Sequence, residues 1–252
     1  MEVNKYCHNF LMLLVVLGRV TGSQVSGYFS KIRGNVVDKK NCFLKVLALS
    51  ELQSQRPLMP CGLFCQQTAN CRFFCTLKST GQCALYSSFV AVRWQGDAPS
   101  SSTTTYDACY TSWGDPRDIV KTNSPFSYSS VYAALYETGG TDGYACSAGR
   151  SYFLSNNLPF SFSQIDMEQI TRVKAVIFAT SFASYNIVVD VFLSNTSDYS
   201  IGQKIGRVPD NPPPVSTITV DTNTSVAGQF ITFVSAPAVF YGYGEVQVIP
   251  LP

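Results

Sequence analysis

The stretch PCGLFCQQTANCRFFCTLKSTGQCAL, residues 60–85, packs five cysteines into 23 residues with the spacing C-x3-C-x5-C-x3-C-x7-C. Cys61 and Cys65 stand four apart, so on a helix their sulfurs leave the same face. The helix candidate is 62–67, with Pro60 near its start, where a backbone N–H would lack an intrahelical partner in any case. Cys71 and Cys83 fall in the polar-and-aromatic sequence that follows, whose segments 72–77 and 83–92 read as strands around a turn at 79–81. A helix bridged to a small sheet suits a unit too small to rest on its core alone. Two short strands precede it, 28–33 and 42–49, separated by the charged turn 38–41.

The chain holds nine cysteines. Cys7 lies in the first residues, which leaves Cys42, Cys61, Cys65, Cys71, Cys75, Cys83, Cys109 and Cys146, an even number compatible with four bridges. The repeated C-x3-C spacing also matches a zinc site of four thiolates. Residues 1–23 weigh toward oxidised sulfur: Lys5, an apolar run over 10–17, then small residues at 21–23 follow the order of a secretory signal peptide. Cleavage is expected after Gly22 or Ser23. The run is shorter than the roughly 20 residues that cross a bilayer, and no later stretch is long and apolar enough to do so. A secreted, extracellular chain without a membrane span is expected. Asn195 and Asn223 each open an N-T-S glycosylation acceptor, whereas Asn123 is followed by Ser-Pro.

Charged residues make up only 13% of the chain and the mean hydropathy is +0.09, because Ser, Thr, Asn and Tyr supply the polarity. The charge is uneven. Residues 24–100 carry nine Lys and Arg against three Asp and Glu, while 110–252 carry seven against eleven. Lys39, Lys40, Lys45, Arg72, Lys78 and Arg93 are candidates for an anionic-glycan patch, and an ordinary solvated face fits them too. No nucleic-acid partner is expected. Residues 95–106, QGDAPSSSTTTY, have no periodicity and read as a Ser/Thr-rich linker. Beyond it the texture becomes all-β. Ile187, Val189, Val191 and Leu193 alternate with Val188, Asp190, Phe192 and Ser194, and β-rich runs recur at 173–180, 216–222, 230–234 and 245–249. A β-sandwich of about 140 residues follows.

The only histidine is His8, inside the expected leader, so the mature chain holds no Ser-His-Asp or Cys-His device and no His-ligated zinc. No phosphate-binding glycine loop is present. The protein is expected not to be an enzyme. It calls for no cofactor, and the sequence does not fix calcium dependence.

The cysteine layout over about 28–95 resembles the PAN/apple family, whose core helix carries two cysteines a turn apart. That resemblance implies the bridges Cys65–Cys71 and Cys61–Cys83 and an end-to-end bridge Cys42–Cys109, with Cys75 and Cys146 left over. Residues 115–250 resemble the discoidin family (factor 5/8 C-type, galactose-binding-like jelly roll) in the order of their motifs: Asp142–Gly143, the aromatic residue Phe162 before Asp166 and Met167, the strand 170–177 and the closing Glu245-Val-Gln-Val. In that pattern Asp142, Asp166 and Glu245 have structural readings. Phe162 replaces the family's usual Trp, Met167 its Leu, and the usual cysteine pair joining the domain's ends is absent. Without a histidine, the fucose-reading arrangement of some members is not expected either.

Together these imply a signal peptide (1–23), a small disulfide-stapled α+β apple-like domain (24–94), a linker (95–108) and an all-β jelly-roll sandwich (109–252). A non-enzymatic, lectin-like or adhesive protein follows, with cell-surface or extracellular glycans or glycoproteins as partners. A protein–protein module and a structural matrix protein are the alternatives. The loops at 128–132, 142–150 and 241–243 set tyrosines beside polar groups, as a sugar site needs. The candidate ligand residues are Tyr128, Tyr132, Asp142, Tyr144, Arg150, Tyr241 and Tyr243.

Overall fold

The computed structural model describes residues 29–34, 36, 42–50, 55–96, 106–122, 124–132, 140–146, 152–180, 188–209, 212–222 and 226–252. The expected signal peptide and most of the Ser/Thr-rich stretch lie outside them. In the amino-terminal unit, helix α1 (Leu58–Gln67) lies against an antiparallel sheet. Its strands are β1 (Ser30–Lys31), β2 (Phe43–Ala48), β3 (Phe73–Leu77), β4 (Gln82–Tyr86) and β6 (Ala108–Thr111), in the order β1-β6-β3-β4-β2. The short strand β5 (Phe89–Val90) follows β4.

The helix ends where Thr68 turns back, its N–H donating to Cys65 O at 3.1 Å and its hydroxyl to Phe64 O at 2.7 Å. Asn70 then adopts a left-handed φ of 61°, which Asn tolerates better than most residues, and returns Cys71 to within 5.1 Å of Cys65. Successive strand residues face opposite ways. Phe74 and Leu85 meet Cys61, Cys65 and Cys83 under the helix, while Phe73, Cys75 and Tyr86 face the other side. At the β3–β4 turn Gly81 takes φ 57°, the conformation glycine adopts at least cost.

All eight described cysteines are paired. Cys61–Cys83 and Cys65–Cys71 are as expected. The expected Cys42–Cys109 bridge is not formed; Cys75 pairs with Cys109, and Cys42 with Cys146. The reason is sheet register. Strand β6 enters between β1 and β3, so Cys109 stands directly opposite Cys75. The amino-terminal sheet thus extends to Thr111.

The carboxy-terminal part is a β-sandwich built on one strand. Strand β10 (Ser161–Thr180) pairs over its first residues with β7 (Phe126–Tyr128) and β14 (Ala227–Ser235), and over its later residues with β13 (Thr217–Asp221) and β15 (Gly242–Pro250). The pairing with β14 is broken by a bulge between Asp166 and Thr171, where Glu168 has φ 59° and Asp166 Oδ1 accepts its N–H at 2.7 Å, and β15 takes over from Val173. Strands β11 (Val189–Ser194) and β12 (Gln203–Arg207) extend the first layer, and β9 (Phe153–Leu154) the second. Val191, Leu193, Ile231 and Phe233 from one layer meet Val176, Phe178, Val246 and Val248 from the other. In β11 the expected alternation holds, with Val189, Val191 and Leu193 buried.

Strand β15 is buried along nearly its whole length, because both of its faces are covered. The sandwich core covers one. Phe89, Ala91 and Trp113 of the preceding chain pack with Ala145 and Ala179 on the other. The two units are further joined by the ladder of β5 with β8 (Tyr144–Ala145) and by the Cys42–Cys146 bridge. No helix among the described residues is long and apolar enough to cross a membrane.

Candidate functional site

The structure disperses the ligand residues expected from sequence. Tyr241 and Tyr243 belong to the sandwich core, each 2% exposed. Ser163 Oγ lies 2.7 Å from Tyr243 Oη and accepts from Tyr241 Oη at 3.1 Å, and burial pushes both phenols up. Tyr144 is also buried, its ring 5.2 Å from that of Trp94 and its hydroxyl 3.1 Å from Ser88 Oγ. These three are therefore corrected from ligand contacts to core residues. Tyr128 is half-buried against Phe153. Asp142 is a turn residue that accepts Tyr144 N–H at 2.9 Å, followed by Gly143 at φ 88°. Arg150 and Asn223 lie outside the described residues. Asn195 is exposed in the bend after β11. Tyr132, 45% exposed, alone of the expected tyrosines presents its ring to solvent.

Around Tyr132 lies an apolar sandwich end that sequence reading missed. Its ring meets that of Phe240 edge-on at 5.1 Å, and its N–H donates to Leu154 O at 2.8 Å. Leu158 and Phe160, in the turn before β10, are 52% and 64% exposed. Phe160 has φ 57°, a costly conformation for a bulky side chain. The signal was Leu-Pro-Phe between Asn156–Asn157 and the strand: apolar residues in a segment whose Asn and Pro mark a turn.

The buried charges lie where the units meet. Arg93, one of the six residues of the expected basic patch, is instead a clasp whose side chain is 9% exposed. Its guanidinium donates to Asp118 Oδ2, to Glu245 Oε1, to Val246 O at 2.6 Å and to Thr141 O at 3.3 Å. Glu245 is fully buried, and its other oxygen accepts Gly143 N–H at 2.5 Å. Burial pushes Glu245 well up despite Arg93. It also pushes Asp118 up to about 6, against the pull of Arg93 and of the N–H groups of Val248 and Val120. Two carboxyls about one guanidinium, both also accepting backbone N–H groups, tie the joint together.

Of the rest of the basic set, Arg72 and Lys78 lie in different surroundings. Arg72 donates to Val215 O at 3.0 Å and lies over the Phe89 ring. Lys78 lines a separate cleft of about 340 Å³ with Lys31, Arg56 and Asp107. Lys39 and Lys40 are outside the described residues.

No family model matches the chain, and no curated protein does. Among solved structures it is similar to the lectin domain of lectinolysin complexed with Lewis B antigen, at 16% identity and TM-score 0.43, covering 55% of this chain and 99% of that one. It is similar to a fucolectin from striped bass (Morone saxatilis) serum, at 11% identity and TM-score 0.48, over 62% of this chain and 61% of the other. A family 32 carbohydrate-binding module of NanJ from C. perfringens, in complex with galactose, gives 12% identity and TM-score 0.43 over 52% and 97%.

Proposed function

We propose that the protein is a secreted, non-enzymatic recognition protein, lectin-like in action, whose partners are cell-surface or extracellular glycans or glycoproteins. In this reading the amino-terminal unit is apple-like and the sandwich discoidin-like. The observation that carries it is the exposed aromatic end of the sandwich, where Tyr132 pairs with Phe240 beside Leu158 and Phe160. An aromatic ring offers its face to the apolar C–H face of a sugar ring while polar neighbours take the hydroxyls. Ser129, Ser130, Asn156 and Asn157 supply such neighbours in the same segments. A glycan array at physiological salt tests it: wild type binds a defined set of glycans, free glycan competes, and Tyr132→Ala loses at least tenfold in affinity. Binding that Tyr132→Ala leaves intact refutes the assignment of this face.

The exposure of Leu158 and Phe160 favours a second reading, an extracellular protein partner docked on the same end. That reading expects no glycan signal and a partner captured by cross-linking that Phe160→Ser abolishes.

A further inference from the structure

Where the amino-terminal unit covers the second layer of the sandwich, the cover is incomplete. Ile177 stands in register between Thr219 on one side and Gln247 on the other, a cross-strand row on the face turned away from the sandwich core. The chain over 112–117 stands off this row and leaves a cleft of about 510 Å³. Trp113 and Gln247, 9% and 1% exposed, both line it. Among the described residues, Trp113 Nε1 and Gln247 Oε1 are the two buried side-chain polar atoms without a hydrogen-bond partner. The Gln247 NH2 donates to Trp113 O at 2.7 Å, which fixes the amide and makes its carbonyl the end left over. At the lip, Arg117 grips Asp115 through Nε and Nη2, at 3.1 and 2.7 Å.

Buried polar atoms of native proteins are almost always satisfied, so a donor and an acceptor without partners on two residues that line one cleft point to a bound group that supplies both. We propose that this cleft, built jointly by the two units, is a saccharide site. A hydroxyl accepts from the indole N–H and donates to the Gln247 carbonyl, whereas a carboxylate cannot donate and an ammonium cannot accept. Ile177 gives an apolar floor for the C–H face of the ring. The Asp115–Arg117 pair presents acceptors and donors to further hydroxyls at the mouth. The volume is in the range of small-ligand sites, about 300–1,000 Å³. The proposal rests on the carbohydrate-recognition reading and adds a second site to it, away from Tyr132.

The chain holds two tryptophans, Trp94 and Trp113, so indole N–H resonances report on the cleft directly. The full chain, 15N-labelled and oxidised, is titrated with free hexoses and N-acetylhexosamines one at a time. The expected result is a saturable shift of the Trp113 Nε1–H cross-peak with at least one sugar, and a smaller or no shift at Trp94. Thr219→Phe, at an exposed position that narrows the cleft without touching either buried atom, weakens that binding at least tenfold; Tyr132→Ala leaves it unchanged. Glycan binding on the array with an unmoved Trp113 peak overturns the cleft site and spares the function proposed above. A Trp113 N–H that answers to no sugar and shows only exchange with bound water makes the cleft a hydration site and overturns the proposal. Saccharide binding at neither place overturns both.

Discussion

Replacing Arg93 by methionine keeps much of the side chain's volume and removes only the charge and its donors. The cost follows from what remains. Asp118 and Glu245, with side chains 6% and 0% exposed, lose their shared cation while staying enclosed between two units. The carbonyls of Val246 and Thr141 lose a donor too. Breaking a buried pair by deleting one partner costs about 3–5 kcal/mol, a large fraction of the roughly 5–15 kcal/mol that holds a typical domain folded. The penalty depends on pH in a defined direction. Without the guanidinium the two carboxyls escape burial of charge only by taking protons, so the difference from wild type is largest at pH 7.5 and shrinks toward pH 5. Urea denaturation at both pH values measures it. Arg117→Met is the control: its pair with Asp115 is 60% exposed on the arginine side, where water screens it, so the change should leave the denaturation midpoint near that of wild type. A loss under about 1 kcal/mol for Arg93→Met, equal at the two pH values, would show that the cluster does not hold the joint.

Asp118 has its pKa raised from 3.8 to about 6 in the folded state, so the folded chain binds more protons than the unfolded chain between those values. Wild type should therefore gain stability as pH falls from 7 toward 5, by up to about 1 kcal/mol per unit, with Glu245 acting in the same direction; a flat denaturation midpoint across that window contradicts this. Converting both Cys42 and Cys146 to Ser opens a loop of 104 residues, and thermal unfolding should show a loss of about 4–5 kcal/mol. Gly143→Ala places a methyl 2.9 Å from Trp94 Cα at a φ of 88°, and a loss of about 1–3 kcal/mol by chemical denaturation is expected. Phe233→Ala empties the centre of the sandwich and should cost about 3–5 kcal/mol in the same assay.

What the sequence reveals here is what is local. Cys61, Cys65 and Cys71 lie within one helix and the turn that ends it, so their spacing already contains their geometry. Val189, Val191 and Leu193 alternate because one covered face imposes a period of two. Cys42 and Cys146 meet only because β5 pairs with β8, and nothing near either residue announces that. The tyrosines of β15 misled for a related reason. Gly242, Gly244 and the tyrosine between them read as a loop, yet the strand begins at Gly242 and carries a register shift, with Tyr243 opposite Thr180 and Glu245 opposite Ala179. The extra residue, Gly244, flips the phase. Tyr241 and Tyr243 turn into the core, and Glu245 turns out toward Arg93. Arg93 itself looks like any basic surface residue until two distant carboxyls, Asp118 and Glu245, converge on it.

The long bridge also sets a timetable for making the molecule. As the chain is synthesised, Cys61, Cys65, Cys71 and Cys83 find their partners within 22 residues, and Cys75 waits 34 residues for Cys109. Cys42 is made first of the eight and its partner last, 104 residues later. Over that interval six younger thiols appear, each able to capture it. A fragment cut before residue 146 therefore lacks the sulfur that Cys42 needs and leaves it free to take a wrong partner.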